Sequence, residues 1–395
     1  MKLVTIISSK KIEFVPIIYE FLDKVKKHII IFDHAKREKI YAKELKRSIE
    51  KLNQHYNVTS DIVMLEIDED SKRDMQHIDT VVQRGSDEIY LNGAGADVAL
   101  FTILSSIVLR ADGKVVAYDK EDNSYNLITK NGFVNNKIEH NMSIEDFLTL
   151  MGEEILEEVD QKEIIHHKDV LNQLFLDTKR VFKVRKLLVK NRTEELKKRY
   201  PKVLDALQIL GVVDDKYIMR RQGGLVEFGY LFEKFIFLQL SSFDFDDIKT
   251  GVKIRFDVTQ VERSGIDVTN EFDILVIKNN RLGFIECKLG SSLDPIGTIY
   301  KSDSIMEYFG ESASSLIVNI QQNRTPHLKN SKKNFGASVI FRAETKDIMV
   351  YNTFDFGRNS FRVKIREAFG VDIRDEHIKS EDSHSLRELE ERWNR

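Results

Sequence analysis

Asp273-Ile-Leu-Val-Ile-Lys-Asn279-Asn280-Arg-Leu-Gly-Phe-Ile-Glu286-Cys287-Lys288 decides how this 395-residue chain is read. Two apolar runs flank a pair of asparagines, and Asn tolerates the positive φ that a two-residue primed hairpin turn requires. The spacing therefore predicts an antiparallel hairpin in which Lys278 faces Arg281. Counting outward sets Leu275 against Phe284, Asp273 against Glu286 and Glu271 against Lys288, all on one face because strand side chains alternate. Two carboxylates opposed across a ladder repel each other, and a bound cation removes the conflict. Paired hard oxygen donors suit Mg2+ or Mn2+, which polarise a phosphoryl oxygen and lower the pKa of bound water. Lys288 is then placed to orient or deprotonate the attacking water, or to neutralise charge on the phosphate. Cys287 points to the opposite face as a packing residue, its backbone carbonyl being a further possible metal ligand.

Upstream, an apolar helix over 225–240 carries Glu227 on the same face as Leu231 and Leu238. Its side chain is expected to turn inward, toward the metal or a metal-bound water. Downstream, Lys301 sits beside a helix over 302–309 and is a candidate phosphate contact. Strands are expected over 252–261, 271–277, 281–288, 316–320, 337–341 and 348–351, which makes 219–370 a mixed α/β domain. A charged tail, 371–395, follows, with one helix from Ser385. Glu286-x-Lys288 alone would read as an exposed strand ion pair. Asp273 in register and Glu227 upstream favour chemistry over that reading.

Residues 1–142 have another pattern. Short Ile- and Val-rich runs at 3–8, 29–32, 58–67, 88–91 and 115–118 alternate with helix-period segments at 13–26, 36–55, 71–84 and 97–110. Strands without polar alternation, each followed by a helix, predict a parallel, Rossmann-like sheet covered on both faces. In such sheets ligands sit at the carboxyl ends of the strands. The candidate contacts are Ser8, Ser9 and Lys10, Asp33 and His34, and Asn92, Gly93, Ala94 and Gly95. The last group opens a helix whose free N–H groups suit a phosphate, although a Gly-x-Gly is more often just a tight strand-to-helix turn.

Residues 143–218 read as a helical connector, with helices over 144–159 and 166–190 and a further turn from Pro201. Between Lys179 and Lys202 it carries eleven Lys or Arg against two Glu. That run is a polyanion contact or a solvated helix face. The whole chain has a formal net charge of -3, so nucleic-acid binding has to be local. One cysteine excludes an internal disulfide framework and any Cys-rich metal site. No secretory leader or membrane-length apolar run is present, so no membrane partner and a cytoplasmic location are expected.

The segments Gly223–Glu227, Asn270–Leu275, Phe284–Lys288 and Lys301–Met306 resemble, in order and spacing, the restriction-endonuclease-like PD-(D/E)XK domain of the CRISPR ancillary nucleases. Those proteins join it to an amino-terminal CRISPR-associated Rossmann-fold (CARF) domain, the arrangement derived above. The resemblance implies a homodimer whose paired CARF domains bind a cyclic oligoadenylate, most often cyclic tetra-adenylate, and switch on a nuclease acting on DNA, RNA or both. The family's motif after the fourth strand reads Asn-x-Thr-Gly-Gly-Thr-Lys; here Asn92 to Val98 lack the Thr and Lys, which leaves the ring size open. Two alternatives stand beside it, a nuclease gated by another nucleotide and a catalytically silent sensor acting through partners.

Overall fold

A computed structural model describes residues 1–7, 13–34, 36–67, 76, 78–80, 87–94, 96–175, 177–190, 192–214, 224–256, 268–290, 294–310, 313–321, 335–353 and 356–374. In the first sheet, β1 (Lys2–Ile6), β2 (Lys27–Asp33), β3 (Asp61–Ile67), β4 (Ile89–Asn92) and β5 (Lys114–Asp119) run parallel. An antiparallel pair that the sequence reading did not foresee, β6 (Ser124–Thr129) and β7 (Gly132–Lys137), extends it to the order β3-β2-β1-β4-β5-β6-β7. Both faces are covered, as expected. Leu3, Ile30 and Phe32 pack with Ile17 of α1 (Val15–Glu20) and Leu45 of α2 (Lys36–His55). Val4, Ile6, Ile29 and Ile31 pack with Leu100, Leu104 and Ile107 of α3 (Val98–Arg110). Of the helix expected over 71–84, the described residues 76 and 78–80 are helical and the others lie outside the described residues.

The expected helix over 144–159 ends early. Ser143 caps α4 (Ile144–Met151), and Gly152 at φ 85 takes the left-handed conformation that stops it. The chain then forms β8 (Glu154–Glu157), an edge strand of the second sheet. Its carboxylates meet β9 (Asp247–Phe256): Glu154 with Arg255 at 2.7 Å and Glu157 with Lys253 at 3.1 Å. The expected continuous helix over 166–190 is instead split among α5 (Gln161–His166), α6 (Lys168–Phe175) and α7 (Thr178–Val189), followed by α8 (Thr193–Arg199) and α9 (Pro201–Ile209). Phe175, Val184, Leu196 and Leu204 from these helices share one core with Phe228, Phe232 and Phe235 of α10 (Gly224–Leu240).

β10 (Val268–Lys278) and β11 (Arg281–Leu289) form the central hairpin of the second sheet. α11 (Pro295–Phe309), β12 (Ser314–Ile320), α12 (Ala337–Glu344), β13 (Ile348–Thr353) and α13 (Arg358–Phe369) complete the order β13-β12-β11-β10-β9-β8. The run 337–341, expected as a strand, is α12. Its buried Val339 and Ala343 stand four residues apart on one helical face, a period that a short apolar run does not reveal. The strand expected over 252–261 begins at Asp247 and is described to Phe256, and the helix expected from Ser302 begins at Pro295. The tail helix from Ser385 lies outside the described residues. Among the described residues, no helix is long and apolar enough to cross a membrane.

Candidate active site

The hairpin register is the expected one. Asn279 and Asn280 take φ 51 and 60, and pairing runs from Lys278↔Arg281 to Ile274↔Ile285. Ladder pairing then gives way, and the Asp273 carboxylate accepts the Cys287 backbone N–H at 2.6 Å. The opposite neighbour also yields at this level: β9 pairs through Phe272↔Val252 and Ile274↔Thr250, with Gly251 at φ 58 between. Side-chain alternation slips here too. Phe272 joins Leu275 and Phe284 in one core, while Ile274, Val276, Ile285 and Cys287 join the other. Asp273 thus sits where the sheet opens, which frees a carboxylate that a regular ladder would bury.

Lys288 donates a hydrogen bond to Glu286 Oε1, and its Nζ lies 4.0 Å from Asp273 Oδ2. The side chains of Asp273, Glu286 and Lys288 are 16%, 14% and 31% exposed, so the lysine is an internal counter-ion for two half-sheltered carboxylates. Burial pushes the Lys288 ammonium down, but Asp273 and Glu286 outweigh it and hold the group above its ordinary value. The ammonium is therefore held as a cation beside the two carboxylates. Burial and the nearby Glu286 raise the Asp273 carboxyl from 3.8 to about 7.

A third carboxylate, not found from the sequence, completes the cluster. Glu233, on α10, is raised from 4.5 to about 8, first by burial and then by Asp273. Its neighbour Lys234 turns away to Glu163 at 3.0 Å. A lone acid among Phe228, Phe232 and Phe235 was the available signal, since an acid in a core-facing helix needs a partner. Glu227 lies in the first turn of the same helix, but its side chain is outside the described residues. The ladder that would set Glu271 against Lys288 is not formed; Glu271 is exposed and pairs with Lys253 of β9. Lys301 is exposed on α11, with Nζ 3.5 Å from the Glu271 carbonyl. The Cys287 thiol is buried in the second core, as expected. Among the described residues, Asp273, Glu286 and Glu233 do not close within 4.8 Å of one another; only Glu20, Glu139 and His140 do. The Glu20 carboxylate there is taken up by the Glu139 and His140 N–H groups at 3.0 Å each.

In the first sheet the strand order reverses between β1 and β4, so their carboxyl ends flank the switch point where open α/β sheets bind ligands. Ser8, Ser9, Lys10 and Gly95 lie outside the described residues. Gly93 and Ala94 line a cleft of about 490 Å³ beyond the β4 and β5 ends. A Cβ on Gly93 would stand 2.1 Å from the Phe101 ring, which explains the glycine by packing. Asn92 is fully buried; its Nδ2 donates to the Phe14 carbonyl at 3.0 Å, and its Oδ1 has no partner among the described residues. The Asp97 carboxylate caps α3 through Ala99 and Leu100 N–H at 2.8 and 3.2 Å, so these amides are not free for a phosphate. Asp33 accepts the His34 N–H, and His34 pairs with Glu66 at 2.9 Å at the far side of the sheet end.

Residues 221–351, which carry the acidic cluster, match the family model of the Card1-like endonuclease domain. Among solved structures, protein VC1899 from Vibrio cholerae superposes with a TM-score of 0.67 at 15% identity, over 93% of this chain and 96% of that one. Can2 from Sulfobacillus thermosulfidooxidans, solved in complex with cyclic tetra-adenylate, gives 0.64 at 12% identity over 93% and 98%. Both share the fold over nearly the whole length. Comparison with curated proteins finds no match.

Proposed function

We propose that this chain is a metal-dependent nuclease of type III CRISPR antiviral defence, switched on by a cyclic oligoadenylate. The observation that carries the reading is the cluster of Asp273, Glu286, Lys288 and Glu233 within a Card1-like endonuclease domain. Three carboxylates whose charges act on one another, two with raised pKa, suit a divalent cation of the Mg2+ or Mn2+ kind once their side chains converge on it. Asp273 and Glu286 would hold it, with Glu233 and the Cys287 carbonyl as further donors; once bound, it polarises a phosphodiester oxygen and activates water. Lys288, released from Glu286, offers its charge to the phosphate as negative charge develops there. Lys301 is exposed at the same edge and suits a phosphate farther along the substrate strand.

Strand-end placement of the first-sheet cleft and the fold shared with Can2 support cyclic tetra-adenylate as the activator, taken with Ser8, Ser9, Lys10, Gly93, Ala94 and Gly95 as contacts. Exposed Val98 and Ile103 on α3 and Phe133 and Val134 on β7 support a homodimer. The boundaries 1–142, 143–218 and 219–370, and a cytoplasmic location, go with this reading. The Asp97 carboxylate at the α3 terminus favours a second reading, in which another nucleotide gates the nuclease. Incubation with Mn2+, separate DNA and RNA substrates and a panel of cyclic oligoadenylates tests both. Cleavage that needs metal and one ring size is expected, and cleavage indifferent to every ring refutes activation by them.

A further inference from the structure

The hairpin that carries the acidic cluster has its other end in the first domain's cleft. Asn280, at the turn between β10 and β11, is 2% exposed and lines the cleft that Gly93 and Tyr118 also line. Its Oδ1 accepts the Met142 N–H at 2.7 Å, and its Nδ2 donates to Asn123 Oδ1 at 3.3 Å and to the His140 carbonyl at 3.4 Å. Asn123 Oδ1 also accepts the Tyr118 hydroxyl at 3.2 Å. A continuous polar relay thus leads from the cleft wall, through Tyr118 and Asn123, to the hairpin tip. Beyond the tip, Leu275, Val276, Ile277, Leu282, Phe284 and Ile285 are at most 2% exposed, and the pairing is unbroken to Ile274↔Ile285. Six residues separate Asn280 from Glu286, about 20 Å at the ~3.3 Å rise of a strand. A paired, fully packed strand couple of that length moves as one body.

We infer that Asn280 is a positioning residue of the nuclease: through the relay of Tyr118 and Asn123, an occupant of the cleft sets where the hairpin holds Asp273 and Glu286. This rests on the activation reading above. A cleft ligand that draws on the Tyr118 hydroxyl alters the hydrogen bonds at Asn123, hence the seat of Asn280, and the ladder carries the shift to the point where it opens at Asp273. Coupling of this kind is an energy difference between two arrangements, which each site biases in turn.

Asn123 provides a clean perturbation because it has φ 46 and does not line the cleft. Asn123→Gly keeps the left-handed backbone and removes the relay. Asn123→Asp keeps both acceptor bonds and gives up only the long Nδ2 donation to Asn141 Oδ1 at 3.4 Å. Cleavage would be measured with and without saturating cyclic tetra-adenylate, with Mn2+ throughout and activator affinity read by calorimetry. The activation ratio of Asn123→Gly should fall about tenfold, in kcat and not in KM, while Asn123→Asp restores it. Tyr118→Phe, which deletes only the hydroxyl, should show the same loss and covers the case in which Asn123→Gly does not fold. Wild-type protein that is activated beside an Asn123→Gly or Tyr118→Phe protein activated to the same ratio overturns this inference alone. Wild-type protein that cyclic tetra-adenylate does not activate overturns the activation reading and the inference with it.

Discussion

Glu233→Gln should make the metal-free protein more stable and the enzyme inactive. The Glu233 carboxyl is raised from 4.5 in the ordinary state to about 8 in the fold. A carboxylate raised in this way contributes stability that is fully present below about 4.5 and lost as pH climbs toward about 8. At ~1.4 kcal/mol per pH unit the full loss is roughly 5 kcal/mol. Water entry and side-chain relaxation at a partly open site, with an effective dielectric near ~20, reduce the expected gain of the substitution to about 2 kcal/mol. Thermal melts in EDTA at three pH values read this directly. Variant and wild type should match near pH ~5, and the variant should melt roughly 4–8 °C higher near pH ~8. Mn2+ should reverse the order, since a metal that binds only the folded wild type adds about 2.7 kcal/mol at a hundred times its Kd. A pH-independent difference between the two proteins in EDTA would refute the placement of Glu233 against Asp273.

Glu286→Ala and Lys288→Ala should each abolish cleavage and leave activator affinity within about twofold, because the two sites lie about 20 Å apart along the hairpin; a cleavage assay beside calorimetry checks both. Replacing Lys183, Lys186 and Lys190 with alanine should reduce the slope of log affinity against log salt by up to about 3, without changing substrate preference. These three are exposed, whereas Arg180, Arg192, Lys197 and Arg199 are already paired with acids. An unchanged slope returns the run to a solvated surface. Gly93→Ala should lower stability by about 1–3 kcal/mol through its clash with Phe101, seen as a lower melting temperature.

The hairpin was legible because Asn279-Asn280 fixes the turn chemistry and parity does the rest; Glu286 and Lys288 follow from counting. What counting misses is the opening at Asp273, at the level where Gly251 of the neighbouring strand takes φ 58. Glu233 was missed because an acid on an apolar helix shows its direction only when the helix is docked; the sequence reading named Glu227, whose side chain lies outside the described residues. The Glu-Ile-Leu-Glu of β8 is compatible with a continuing helix, and the Arg255 and Lys253 that pair with it lie about a hundred residues on. Near Asn92 the reading took polar groups at a strand end as ligand contacts. The fold uses Asn92 to hold the Phe14 carbonyl and Asp97 to close a helix, both internal uses of the same chemistry.

The edge strand β8 limits how this protein can exchange parts with others in evolution. A gene fusion that took only the matched segment 221–351 would carry β9 with its outer side bare, its amides and carbonyls open to any extended chain. A viable transfer has to include Glu154–Glu157, and α4 just before it shares one core with residues of both sheets, Leu3 and Ile30 of the first and Val252, Phe272 and Phe284 of the second. Glu153, between α4 and β8, is in addition tied to Tyr308 of α11. A replacement of the first domain in this architecture therefore has to keep, or rebuild, the α4 face that packs on the second sheet.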